Sequence, residues 1–167
     1  MNSIRRLTQV SDAQVHGLAA LLIDCVEGGA SVSFMLPLTP DRAQAFWQRV
    51  AAGVHIAEDA QGAIVGSVQL VLDQPENQPH RADVAKMLVH RSARRQGLAE
   101  RLMRAAEDTA RECGKTLLVL DTVTGGDAER LYTRLGWQRV GSIPDYALWP
   151  RGGLCATTVF YRRVGER

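Results

Sequence analysis

The stretch VHRSARRQGLAERLM, beginning at Val89, places three arginines and a histidine just before a glycine and an apolar-spaced run. If a strand ends near His90 and a helix begins near Gly97, the first N–H groups of that helix have no intrahelical partners. The helix dipole also favours negative charge beside them. A glycine at this corner lets a ligand approach the main chain closely. The pattern predicts a phosphate site, with a solvated basic surface as the alternative.

Other chemistries leave little trace in the sequence. Neither G-x-x-x-x-G-K-[ST] nor G-x-G-x-x-G occurs, which excludes a Walker loop and a Rossmann fingerprint. Cys25, Cys113 and Cys155 lie far apart without a C-x-x-C pair, and the histidines show no ligand spacing. We therefore expect no metal site and no disulfide framework.

Length and composition indicate an ordinary globular protein. The 167 residues, 46% hydrophobic and 23% charged, predict a single domain spanning residues 1–167. A net charge of +2 and the lack of a reader motif argue against nucleic acid as a partner. The N-terminal residues lack the apolar core of a signal peptide, and no run reaches membrane-spanning length. A cytoplasmic protein without membrane contact is the expectation.

Apolar periodicity predicts four helices, near residues 11–27, 39–52, 96–113 and 127–136. Ser11 and Gln14 form a capping-box pattern at the first, while Thr39 and Pro40 suit the start of the second. Seven strands are predicted near residues 3–8, 54–59, 63–73, 82–90, 116–123, 137–143 and 155–164. Gly66, inside one of them, suggests a bulge or a close approach of another backbone.

The order of these elements indicates how the sheet is arranged. The strand near residues 82–90, the helix after it and the strand near 116–123 form a right-handed crossover candidate, which makes the two strands parallel. The flanking strands are expected to be antiparallel. The fold class is therefore α/β (α+β), a mixed, mostly antiparallel sheet of about seven strands with one central parallel pair and about four flanking helices.

Two motifs resemble the GNAT superfamily of N-acetyltransferases. Arg94 to Ala99 match its [R/Q]-x-x-G-x-[G/A] signature after an apolar strand and at the start of an amphipathic helix. AERLYTRLGWQRVG, from Ala128, resembles a second family element in the right order. GGASVSFM, RADVAKMLVHRSARRQGL and RGGLCATTVFY further resemble the tabtoxin-resistance type. The resemblance implies acetyl-CoA as co-substrate, a GNAT fold and no metal.

The resemblance also implies which residues bind this co-substrate. Main-chain groups of one apolar strand would pair with the pantetheine arm, and backbone N–H groups of the following turn would hold the pyrophosphate. An N–H of that strand could also polarise the thioester carbonyl. The strand residues are Met87, Leu88 and Val89, and the turn residues are Arg94, Arg95, Gln96, Gly97, Leu98 and Ala99.

Tyr132 matches the family tyrosine that protonates the departing CoA thiolate. Its helical spacing is equally consistent with packing in the core. Asp83 or Asp121 could accept the proton of the substrate amine, although either could simply be a turn or cap carboxylate.

The loop from Gly28 to Leu38 suits a lid over the acceptor, with Gly29, Ser31, Phe34 and Trp47 as candidate contacts. Trp47 could equally serve burial. The leading interpretation is an N-acetyltransferase acting on a primary amine of a small molecule, in resistance or detoxification. A protein or peptide N-acetyltransferase and a non-catalytic CoA-binding module remain alternatives. Apolar residues in ATTVFY could support a homodimer.

Overall fold

The structure, a computed structural model, describes residues 1–165. Within them, the chain forms seven strands and four α-helices. The elements are β1 (Ser3–Arg6), α1 (Asp12–Glu27), α2 (Pro40–Val50), β2 (His55–Glu58), β3 (Ile64–Val71), β4 (Arg81–Val89), α3 (Leu98–Glu112), β5 (Leu117–Val123), α4 (Asp127–Arg134), β6 (Gln138–Leu148) and β7 (Leu154–Arg163). A short 3₁₀ turn, Arg91–Ala93, precedes α3.

The strands form one sheet in the order β1-β2-β3-β4-β5-β7-β6. Only β4 and β5 are parallel, and every other neighbouring pair is antiparallel. The predicted mixed sheet with a central parallel pair is confirmed. Its crossover runs through α3.

Each face of the sheet is covered by one pair of helices. Leu102 of α3 and Tyr132 of α4 share one core cluster with Phe160 of the sheet, while Leu22 of α1 and Trp47 of α2 belong to the other. Because each fully buried large apolar side chain contributes about 1.5–3 kcal/mol, both clusters hold their helices firmly on the strands.

Local chemistry fixes the helix starts. The Ser11 side chain accepts a hydrogen bond from the Gln14 N–H at 3.3 Å, and the Gln14 side chain accepts one from the Ser11 N–H at 2.9 Å. The predicted capping box is therefore formed. Thr39 caps α2 through the Arg42 N–H, directly before Pro40. The Ser11 contacts fix the start of α1, and the Thr39 cap fixes where the loop between α1 and α2 ends.

Gly66 marks the closest approach of α3 to the sheet. A Cβ atom placed there would lie 2.9 Å from Cδ1 of Leu102 and 3.3 Å from Cδ2 of Leu98. A side chain at this position would push α3 away from β3. The close approach at Gly66 is therefore made by side chains of α3 and not, as predicted, by another backbone.

The parallel strands β4 and β5 separate after a short paired segment. Arg81 to Asp83 pair with Leu117 to Val119, whereas β4 continues to Val89 and β5 to Val123. On its other side β4 pairs with β3 on both sides of a β-bulge that contains Lys86. A gap therefore opens between β4 and β5 toward their C-terminal ends.

Two features of the sheet differ from the sequence prediction. β6 continues through Pro144 to Leu148. Proline is compatible with this strand because β6 is at the sheet edge and needs no hydrogen bonds on its outer side. β7 lies between β5 and β6, so the ATTVFY segment is internal and cannot form an intermolecular strand pair.

Candidate active site

The turn between β4 and α3 leaves the start of α3 open. Arg95 and Gly97 have left-handed backbones, with φ of 60° and 72°. Gly97 caps the helix without any side-chain hydrogen bond, and a Cβ there would find nothing within 4 Å. The first N–H groups of α3 thus have no side-chain cap, and they lie at the positive end of the helix dipole.

Most of the neighbouring polar side chains hold the turn in place. Arg91 binds Asp24 of α1 through its backbone N–H at 3.1 Å and through its guanidinium. Arg94 donates to the Val89 carbonyl at 3.1 Å, and the Gln96 amide donates to the Ser92 carbonyl at 3.2 Å. The basic cluster is therefore largely a scaffold that fixes the main chain.

Arg95 is the exception in this turn. Its side chain is exposed, and within residues 1–165 it makes no ion pair or side-chain hydrogen bond. Leu98 is buried at 2% exposure, so only its main chain faces the opening, while Ala99 is half-buried. The predicted residues from Arg94 to Ala99 are thus brought together, but they offer main-chain groups and one free guanidinium.

The residues predicted to pair with a pantetheine arm lie on the separated part of β4. Leu88 is a core residue at 2% exposure, and Met87 and Val89 are half-buried. Beyond Asp83, β4 has no β5 partner. Its main chain borders the gap and could accept an extended ligand as an added strand.

Tyr132 of α4 is buried in the core between α4 and the sheet. Its ring packs against Trp137 and Phe160, with ring centroids 5.9 Å and 6.0 Å away, and it is 5% exposed. Burial raises the pKa of Tyr132 well above its usual range, and the charge of Asp121 raises it further. The phenol therefore stays protonated across the physiological pH range.

Asp121 and Asp83 have different surroundings. Asp121 lies on β5, two residues beyond Val119, the last residue of β5 that pairs with β4. Its carboxylate accepts a hydrogen bond from the Thr157 hydroxyl at 2.7 Å. Its charge acts on both Tyr132 and Lys86. Asp83 lies in the paired segment, bound to Arg81 and to the Gln74 amide at 3.2 Å. Within the described chain no contact joins Asp83 to Tyr132, so the structure groups Asp121 with the tyrosine and leaves Asp83 apart.

The loop from Gly28 to Leu38 connects α1 to α2, and it contacts the end of β6 and the β6–β7 turn. The Ser31 hydroxyl donates to the Leu148 carbonyl at 3.2 Å, and the Leu36 N–H donates to the Pro150 carbonyl at 2.9 Å. Gly29, with φ of 98°, starts the loop with a left-handed backbone. These two hydrogen bonds hold the loop against the end of β6 and the β6–β7 turn.

The aromatic residues of this region have unequal roles. Phe34 packs edge-on against Phe46 at 5.2 Å. Trp47 is completely buried, at 0% exposure, and packs against Phe46 at 4.9 Å. Trp47 therefore has no surface that could contact an acceptor. Of the two roles that the sequence left open for Trp47, the structure shows burial in the core.

Sequence reasoning missed Lys86, Phe46 and Thr157. The Lys86 ammonium lies over the Phe46 ring, 5.4 Å from its centroid. The available signal was a lone lysine inside the apolar strand segment VAKMLV, which no core position explains. Phe46 and Thr157 carried no comparable signal, since both occur in otherwise regular patterns.

Comparisons with known proteins identify the family of the chain and proteins that share its fold. The model of the Acetyltransferase (GNAT) family matches residues 29–137. An uncharacterized N-acetyltransferase from Azospirillum brasilense, from the hisH-hisA intergenic region, is 28% identical over 158 residues, covering 90% of this chain and 94% of that protein. An acetyltransferase from Salmonella typhimurium, solved with its cofactor acetyl-CoA, superposes with a TM-score of 0.80 at 19% identity, covering 100% of this chain and 96% of that one. A phosphinothricin acetyltransferase from Sinorhizobium meliloti, in complex with acetyl-CoA, gives 0.81 at 14% identity, covering 99% and 89%.

With its matched segment extending over more than half of its length, the chain belongs to the GNAT family of acetyltransferases. The two solved structures share its fold at low identity. Among residues 1–165, no cluster of three or more histidine, cysteine or acidic side chains is arranged to hold a metal ion. None of the helices in that range has the length and apolar character needed to cross a bilayer.

Proposed function

We propose that this protein transfers the acetyl group of acetyl-CoA to a primary amine of a small molecule, by direct attack within a ternary complex. The observation that carries the proposal is the separation of β4 and β5 beyond Asp83, with the uncapped start of α3 after β4 and with Asp121, whose charge acts on Tyr132, on the separated part of β5. A phosphate cradle after one strand and an acid–base pair beside the other would suit a long, phosphate-bearing acyl donor.

The residues around the gap fit such a donor. The open N–H groups after Gly97 and the free guanidinium of Arg95 suit a pyrophosphate. The main chain from Met87 to Val89 can pair with the pantetheine amides, and an N–H there can bind the thioester oxygen as it becomes negative. Bound acetyl-CoA would supply the activated acetyl group.

Proton transfers are assigned to the two polar groups at the end of the gap. Asp121 receives a proton from the acceptor ammonium, directly or through water, which frees the amine to attack the thioester carbon. When the C–S bond breaks, the hydroxyl of Tyr132 donates its proton to the departing thiolate, and the second proton lost by the attacking nitrogen returns to the Tyr132 phenolate, directly or through water. Asp83 is the weaker base candidate because Arg81 and Gln74 already engage its carboxylate.

The loop from Gly28 to Leu38 supports a small acceptor. Its bonds to the β6–β7 turn cover the approach that a peptide would need. The likeness to the tabtoxin-resistance type and to the phosphinothricin acetyltransferase supports an amino-acid-like acceptor and a detoxification role.

Isothermal titration with acetyl-CoA tests the donor site. We expect micromolar binding by the native chain and loss of binding by Gly97→Glu, because a carboxylate there would repel the phosphates. Gly114→Glu is the matched control, since Gly114 has a similar φ of 70° and equally open surroundings at the other end of α3. Absence of binding by the native chain, or equal loss in both variants, would refute the phosphate cradle.

A further inference from the structure

Lys86 has an unusual place in the sheet. It lies in the β4 bulge with a left-handed backbone, φ 49°, in the middle of a strand. A lysine gains nothing from this conformation, which favours glycine or asparagine. Bulges beside active sites commonly redirect a side chain, and here the side chain is redirected onto Phe46 of α2, at the acceptor side of the gap.

The ammonium of Lys86 has no ionic partner. In the described chain no carboxylate oxygen lies within 4.0 Å of it, and its contact is the face of the Phe46 ring. Partial burial lowers the pKa of Lys86, and the nearby negative charge of Asp121 opposes that change. A half-buried cation without an anion is costly, so a ligand anion would be favoured there.

Asp121 is near enough for its charge to act on Lys86, but the two form no ion pair. Its carboxylate binds the Thr157 hydroxyl at 2.7 Å instead of the lysine. One cation and one anion thus flank the end of the gap as neighbours that do not pair. An acceptor with its own amine and carboxylate a few bonds apart would complement both, with the amine toward Asp121 and the carboxylate toward Lys86.

We propose that Lys86 determines acceptor specificity by binding a carboxylate of the acceptor while Asp121 receives the amine. This inference rests on the proposed acetyl transfer and adds the residue that selects among amines. The Phe46 ring holds the ammonium in position, and its neighbours Phe34 and Trp47 fix that ring from either side. Amines without an acidic group would lose this contact.

The test compares amino acids with their carboxamides as acceptors. Lys86→Asn removes the charge and suits the left-handed backbone, and Lys86→Asp reverses the charge with the same tolerance. We expect kcat/KM for amino acids to fall about ten- to a hundredfold in Lys86→Asn, mostly through KM, with little change for the carboxamides. Lys86→Asp should prefer the carboxamides, and Lys86→Arg should keep the native preference.

Other outcomes distinguish a failure of the proposed Lys86 role from a failure of the proposed acetyl transfer. An equal fall in kcat for both acceptor types in Lys86→Asn would overturn the specificity role, since it would mean that the lysine acts on the chemistry through Asp121. Native protein that acetylates carboxamides as well as amino acids would also overturn it. Native protein that binds acetyl-CoA but acetylates neither type nor any other small primary amine would instead contradict the proposed function, whereas acetylation of amines without an acidic group alone would overturn only the role of Lys86. Acetyl-CoA affinity and the melting temperature of each variant confirm that the fold is intact.

Discussion

At the scale of single residues, Tyr132 illustrates how burial selects a protonation state. Desolvation and the charge of Asp121 both disfavour the phenolate. The raised pKa keeps the phenol protonated at every working pH but makes it a weaker acid, so its proton transfer depends on being held close to the departing thiolate. Tyr132 differs in this from Asp121, which is exposed.

Replacing Tyr132 with phenylalanine removes only the hydroxyl. We expect kcat to fall about 10²- to 10⁴-fold, because general-acid catalysis contributes in that range, while acetyl-CoA affinity stays close to native. Steady-state kinetics and titration calorimetry measure the two effects. Tyr161→Phe is the matched control, since Tyr161 is a partly exposed tyrosine bonded to Gln138 away from the gap. Full activity of Tyr132→Phe would exclude the acid role.

At the scale of elements, α3 is joined to the sheet by a buried polar contact as well as by apolar packing. The imidazole of His55 on β2 lies 2.9 Å from the Thr109 hydroxyl on α3 and is 3% exposed. Burial, together with a smaller effect of the charge of Arg6, lowers the pKa of His55 to about 4. This histidine is therefore neutral in the folded state at neutral pH.

The depressed pKa of His55 makes stability depend on pH. The unfolded imidazole titrates near pH 6.5. Between that pH and about 4, the unfolded state therefore binds more protons than the folded state. The free energy of unfolding should drop by about 2 kcal/mol between about pH 7.5 and pH 5 from this group. Urea denaturation of native protein and His55→Gln measures the difference. The same decrease in both proteins would show that other groups cause it.

At the scale of the whole molecule, the sequence revealed the sheet better than the site. Periodicity and caps such as Ser11 located the helices, and the crossover around α3 identified the parallel pair. The local pattern could not reveal that Arg94 and Arg91 would be used to hold the turn, because their partners, the Val89 carbonyl and Asp24, are chosen by packing. The bulge that redirects Lys86 was equally hidden, because it depends on the pairing register with β3.

The β6 edge of the sheet is suited to pairing with a second copy of the chain. β6 is unpaired on its outer side and leaves Val140 65% and Ile143 47% exposed. Arg139 and Asp145 lie toward opposite ends of this edge, so two copies related by a two-fold axis would bring unlike charges together. We expect a homodimer by light scattering, and we expect Val140→Lys to shift it to monomer, since edge lysines oppose strand pairing. Gln61→Lys, which adds the same charge at an exposed turn, should stay dimeric, and a monomeric native protein would refute the interface.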